Sequence, residues 1–93
     1  MQSSDKTAST TQPVVDVVLE TIIRVMRQSD ITLADNVLEL GVDSLTGTRI
    51  VVAIGEKLEI EVSLETLLEN PVIGDFSDAV IEIFEDWQQY AGG

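Results

Sequence analysis

Residues 39–58 read ELGVDSLTGTRIVVAIGEKL, and the way this stretch folds decides the architecture. Asp43 and Ser44 form an N-cap pair, because short polar side chains accept hydrogen bonds from the orphan N–H groups of a first helical turn. Behind them, Ile50, Ile54 and Leu58 fall at i, i+4 and i+8, which predicts a helix over 45–58. A second apolar stripe, Leu45, Thr48 and Val52, is displaced around the same axis. One stripe is enough to join a core. The second is surplus, free either to pack beneath a loop or to meet a partner. Gly41 is expected to supply a turn conformation that a Cβ would penalise. Gly47 costs a helix about 1 kcal/mol relative to Ala. It reads either as a low spot for close approach or as a tolerant exposed site.

Upstream, Val15, Val18, Leu19, Ile22 and Met26 recur at helical intervals, so residues 13–28 are expected to form an amphipathic helix opened by Pro13. Glu20 and Arg24 stand at i, i+4 in the favourable order for an ion pair. Residues 29–42 hold no sustained period, and their aliphatic members suit a long loop pinned to a core, with a turn after Asp35. Downstream, Ser63 is expected to cap a short helix through Leu68, which Asn70-Pro71 stops. A last helix is expected over 73–87, with Ile73, Phe76, Val80, Ile83, Phe84 and Trp87 inward. The sum is an all-α fold: a small bundle of three main helices plus one short helix, with a long first loop. Residues 1–12 are polar and Ser/Thr-rich and read as a flexible leader; 13–87 form the domain, and 88–93 a flexible tail.

Composition narrows the chemistry. The chain has 93 residues, which is one domain, and 44% of them are apolar, so a packed interior is within reach. Seventeen acidic residues against five basic ones leave a net charge of −12, which would repel phosphate backbones and argues against nucleic acid. No run is long enough for a membrane span, and no apolar stretch of signal-peptide type opens the chain. A cytoplasmic monomer is expected. There is no Cys and no His, which removes thiol nucleophiles, imidazole bases and the usual zinc sites. Ser44 has no base placed to activate it, and Asp43, its neighbour in sequence, is poorly aimed to do so. Loops starting at Asp30 or Asp35 put Thr32 and Ala34, or Val37 and Leu40, where a calcium loop needs oxygen ligands or glycine. Neither catalysis nor metal binding is expected.

What remains is Ser44 itself, a hydroxyl at a helix N-terminus. The positive end of the macrodipole is a favourable place for an anionic phosphodiester. Glu39-Leu40-Gly41-Val42-Asp43-Ser44-Leu45 resembles the attachment motif of the acyl and peptidyl carrier proteins. Thr48-Arg49-Ile50-Val51 is similar to the continuation of that helix in peptidyl carriers, and Leu67-Leu68-Glu69-Asn70-Pro71-Val72-Ile73 to the family's third-to-fourth-helix junction. The resemblance spans residues 14–86. It implies covalent 4′-phosphopantetheine on Ser44, flanked by Asp43 and Leu45, placed there from coenzyme A by a phosphopantetheinyl transferase. The thiol missing from the chain would arrive with the cofactor and hold an acyl or aminoacyl thioester, whose effective concentration at each partner the arm sets.

The resemblance further implies an adenylation or acyl-loading enzyme and condensation, ketosynthase or tailoring enzymes as partners. Fatty-acid carriers present an acidic second helix, whereas residues 45–58 hold one acid, Glu56, beside Arg49 and Lys57. Recognition through Leu45, Thr48, Arg49 and Val52 is therefore expected. Peptidyl carriers often show Gly-Gly where this chain has Gly41-Val42, a form nearer polyketide carriers. The reading is a carrier of nonribosomal peptide or hybrid peptide–polyketide assembly, with a polyketide acyl carrier as the alternative. A rival of another class is a small acidic adaptor in which Ser44 merely caps a helix.

Overall fold

Four helices follow one another along the chain: α1 (Gln2–Met26), α2 (Ser44–Leu58), α3 (Leu64–Glu69) and α4 (Ile73–Gly92). The computed structural model describes residues 2–92, and side chains over 13–87. Helix α1 packs on α2 and α4, while the short α3 touches α2 and α4. The architecture is the expected all-α bundle, with the long loop between α1 and α2.

Two helix boundaries differ from expectation. Helix α1 begins at Gln2, so Pro13 lies inside it rather than in its first turn. Helix α4 continues past Trp87 to Gly92, since no Gly or Pro interrupts residues 75–91. The expected flexible leader and tail fall on side chains outside the described residues. Helix α1 stops at Met26 because Arg27 turns left-handed at φ 60°, its N–H donating to the Ile23 carbonyl.

Aliphatic side chains fill the core. Val14, Val18 and Ile22 of α1 meet Ile50 and Ile54 of α2, Leu67 of α3, and Ile73, Phe76 and Val80 of α4, all at most 1% exposed. The inward line of α1 thus runs through Val14, Val18 and Ile22, with Val15, Leu19 and Met26 only half-buried at its margins. In α4 the inward line fades at Ile83 and Phe84, which are half-buried. Trp87, expected inward, is 44% exposed. There it flanks an open groove beside the end of α2 instead of packing into the core. Thr21 and Ser77 are buried with hydroxyls that meet no partner, a feature that periodicity does not disclose. Glu20 and Arg24 form no ion pair among the described residues, so their spacing is compatible with a contact that is not made.

The loop after α1 is fastened rather than loose. Ile31, Val37 and Val42 are buried anchors. Its backbone also closes the start of α4: the Ile73 N–H donates to the Asp35 carbonyl at 2.9 Å and the Gly74 N–H to the Leu33 carbonyl at 2.8 Å. The Val37 N–H in turn donates to Pro71 at 2.8 Å, beside an isolated bridge between Asn36 and Val72. Two orphan donors of α4 are thus satisfied by a loop instead of a capping side chain. The expected turn after Asp35 forms around Asn36, whose Oδ1 accepts from the Leu38 and Glu39 N–H groups.

Candidate functional site

The loop delivers the chain to α2 through a short, well-determined turn. Gly41 adopts φ +92°, the left-handed region that a Cβ disfavours, which is the role expected of it. The Val42 N–H donates to the Val37 carbonyl at 3.0 Å, and Val42 itself is buried. One residue later the backbone reaches Asp43, the cap of α2. Its Oδ1 accepts from the Thr46 N–H at 2.9 Å, and its carbonyl accepts from the Gly47 N–H at 2.8 Å. The hydrogen bond from the Thr46 backbone, and after it that from the Thr46 side chain, hold the Asp43 carboxyl below its ordinary range.

Asp43 therefore caps α2 alone, and Ser44 is the first helical residue rather than half of a capping pair. The geometry explains why: only the residue with extended backbone, here Asp43 at φ −101° and ψ −175°, can aim a side chain at the N3 N–H. The Ser44 side chain is exposed, and none of the described hydrogen bonds engages its hydroxyl; only its carbonyl is used, accepting from Thr48 Oγ1 at 2.7 Å. A free hydroxyl thus stands at the positive end of a 15-residue helix whose following turn is locked by Ile50 and Gly47.

Leu45, at 65% exposed, and Val52, at 51%, lie open beside it, and Thr48 and Arg49 between them are exposed as well. The alternative in which this stripe packs beneath the loop does not occur. Gly47 is not a tolerant exposed site but a place of close approach, and what approaches is α3 of the same chain: the residue is buried, and a Cβ there would stand 2.7 Å from Leu64 Cδ1 and 3.4 Å from Leu67 Cδ2. Its smallness lets α3 close on α2 beneath the site. Leu64, one residue after the α3 cap, was the unread signal for that contact.

The donor set suits a covalent phosphodiester: one unbonded primary hydroxyl, a helix N-terminus, and no carboxylate bonded to the hydroxyl. Residues 16–80 match the family described as the phosphopantetheine attachment site. The chain belongs to that family. It is a phosphopantetheine carrier domain, and the family is one of carriers rather than catalysts. Membership sets aside the adaptor reading. The carrier is also 46% identical over 43 residues to the nonribosomal peptide synthetase ecdA of Aspergillus rugulosus, a match covering 46% of this chain and 1% of that synthetase. No solved structure matches the carrier. Among the described residues, no group of acidic side chains could hold a metal ion, and no helix is long and apolar enough to cross a membrane.

Proposed function

We propose that Ser44 carries the 4′-phosphopantetheine and that the domain presents an aminoacyl or acyl group to successive enzymes of nonribosomal peptide or hybrid peptide–polyketide assembly. The observation behind the site is the division of labour at the start of α2. Asp43 does the capping, so the adjacent hydroxyl of Ser44 is left exposed and unbonded. When bound, the arm supplies the thiol that this chain lacks and holds its cargo as a thioester. The chain's own residues fix where that arm starts. Val42 and Gly47 bury either side of the attachment point, Asp43 sets the first turn, and the helix N-terminus favours the phosphodiester charge.

The exposed Leu45, Thr48, Arg49 and Val52 form the face on which partners dock. Those partners are a phosphopantetheinyl transferase, an adenylation or acyl-loading enzyme, and condensation, ketosynthase or tailoring enzymes, in the cytoplasm. The likeness to the peptide synthetase supports the peptidyl subclass. Gly41-Val42 before Asp43 supports a polyketide acyl carrier as the second reading.

The test is intact mass after incubation with a broad-specificity transferase and coenzyme A. Wild type gains the mass of the arm, and Ser44→Ala, which stays folded because Asp43 still caps, gains nothing. A mass gain in the Ala variant defeats the assignment.

A further inference from the structure

Three hydroxyls crowd the start of α2, and they are not equally free. The Thr46 side chain is given to the Asp43 carboxylate, on the side of the cap. Thr48 Oγ1 donates to the Ser44 carbonyl at 2.7 Å, four residues back along the helix. The Ser44 hydroxyl lies exposed, and none of the described hydrogen bonds engages it.

The bond from Thr48 has no obvious structural use. Thr48 is exposed, so water could satisfy its hydroxyl, and a threonine that bonds back to the i−4 carbonyl slightly destabilises and bends a helix. The acceptor shows what the contact does serve. Ser44 is the first helical residue, so its N–H is an orphan donor with no partner inside the helix. Its carbonyl is the backbone group by which the helix holds it, and the Thr48 hydroxyl strengthens the grip on that group. Branching at Cβ restricts a helical threonine to few χ1 rotamers, so the donor is already oriented before any partner arrives.

We propose that Thr48 is a positioning residue for Ser44: by holding the Ser44 carbonyl it fixes the first turn, and with it the direction from which the free hydroxyl meets coenzyme A on the transferase. The proposal rests on Ser44 as the attachment residue. In the transfer the Ser44 oxygen bonds to the phosphorus that carries pantetheine. The pyrophosphate bond to the adenosine half of coenzyme A breaks, that half leaves with the bonding electrons, and the hydroxyl proton passes to the transferase. Such displacements need the entering and leaving oxygens roughly in line. A misplacement of about 1 Å can cost about 10²-fold, so a looser first turn is expressed in turnover rather than in binding. With its hydroxyl committed, Thr48 has its methyl to offer a docking partner, and substitution separates the two contributions.

The experiment measures steady-state phosphopantetheinylation of the full chain by a broad-specificity transferase with coenzyme A, read by intact mass. Amide hydrogen exchange at position 48 is followed alongside. Thr48→Val keeps the shape and loses the donor. Its kcat should fall by at least about fivefold, with KM for the carrier within about twofold of wild type, and its position-48 amide should exchange faster. Thr48→Ser restores the donor and should return both kcat and exchange to within about twofold of wild type. Thr48→Ala, a better helix former, should melt no lower than wild type and yet show the loss of kcat, which a merely structural role would not produce.

An unchanged kcat in Thr48→Val would overturn the proposal, as would unchanged exchange at position 48. So would a loss that Thr48→Ser does not restore, or a rise in KM alone, which would leave Thr48 as a docking contact and nothing more. Absence of any mass gain in wild type would instead defeat Ser44 as the attachment residue. The exchange at position 48 would then still decide whether Thr48 holds the first turn.

Discussion

Two faces of α2 are built from the same kind of side chain and do opposite things. Ile50 and Ile54 are wholly buried on the side of α2 that packs on α1 and α3, whereas Leu45 and Val52, on the other side of the axis, are 65% and 51% exposed. Hydrophobicity alone does not separate them, since all four are aliphatic. What differs is whether another element lies opposite. A surplus apolar stripe on a helix of a small bundle stays open to solvent once the core has been satisfied by the first. The same contrast places the free hydroxyl of Ser44 at the head of a helix that is anchored on one side and open on the other.

The largest effect expected from breaking that comparison is on stability. Ile54→Ala removes fully buried methyl groups and leaves a cavity, and should cost about 2–5 kcal/mol in urea denaturation. Val52→Ala, on the open face, should stay within about 0.5 kcal/mol of wild type. Equal losses would mean that the two faces are not distinct. Function should respond the other way round. Val52→Asp should leave the circular dichroism unchanged yet slow aminoacyl or acyl loading of the phosphopantetheinylated chain by about tenfold, the factor given by roughly 1.4 kcal/mol of lost apolar contact. Raising salt from about 0.05 to 0.3 M should matter less than that substitution, because screening acts on charges. Normal loading of the variant, with strong salt inhibition, would move recognition onto Arg49 and the acidic residues.

The bundle was legible because the decisive residues follow simple periods. Ile50, Ile54 and Leu58 mark α2, and Ser63 and Asn70-Pro71 bracket α3. The motif at Ser44 was legible for a similar reason: Gly41, Asp43 and the exposed hydroxyl each answer a local demand of backbone or cap. What one-dimensional pattern did not carry were relations between segments. Gly47 falls on the Ile50–Ile54 side of a helical wheel, but with no side chain to mark its contact, Leu64 of α3 is seen only when the two helices are set together. Trp87 continues the apolar spacing of α4, but spacing does not tell that an open groove lies beside it. The docking of the loop on α4 is made by backbone groups of Leu33 and Asp35, to which side-chain patterns are blind.

Gly47 offers a smaller and sharper test, because it lies on the buried face of α2 yet carries no side chain to fill it. Gly47→Ala brings a gain in helix propensity of about 1 kcal/mol. Against it stands the approach to Leu64 Cδ1, the tip of a half-buried side chain that can rotate. The two should nearly cancel, leaving thermal stability close to wild type. Gly47→Val adds two further methyl groups to the same gap and should cost about 1–3 kcal/mol. A harmless Val would show that α3 does not close on α2 at this point.

The smallest effect concerns the cap below the open face, and its sign follows from the carboxyl of Asp43. The folded state holds that group below its ordinary value of 3.8 by hydrogen bonds from Thr46. A group depressed on folding contributes stability that is present in full above its unfolded pKa and is lost as pH falls through the folded value. The window therefore lies below about pH 4. Acid also reduces the self-repulsion of a chain at −12, so the raw pH profile mixes opposite trends. Asp43→Asn isolates the cap, because Asn also caps well and does not titrate. Thermal melts of the two proteins should run in parallel at neutral pH and converge or cross below pH 4, as the wild type loses an increment that the Asn variant never had. Melts that keep a constant separation from pH 7 to 2 would show that the Asp43 charge adds nothing to the hydrogen bond at Thr46, and that α2 starts where it does for reasons of backbone shape alone.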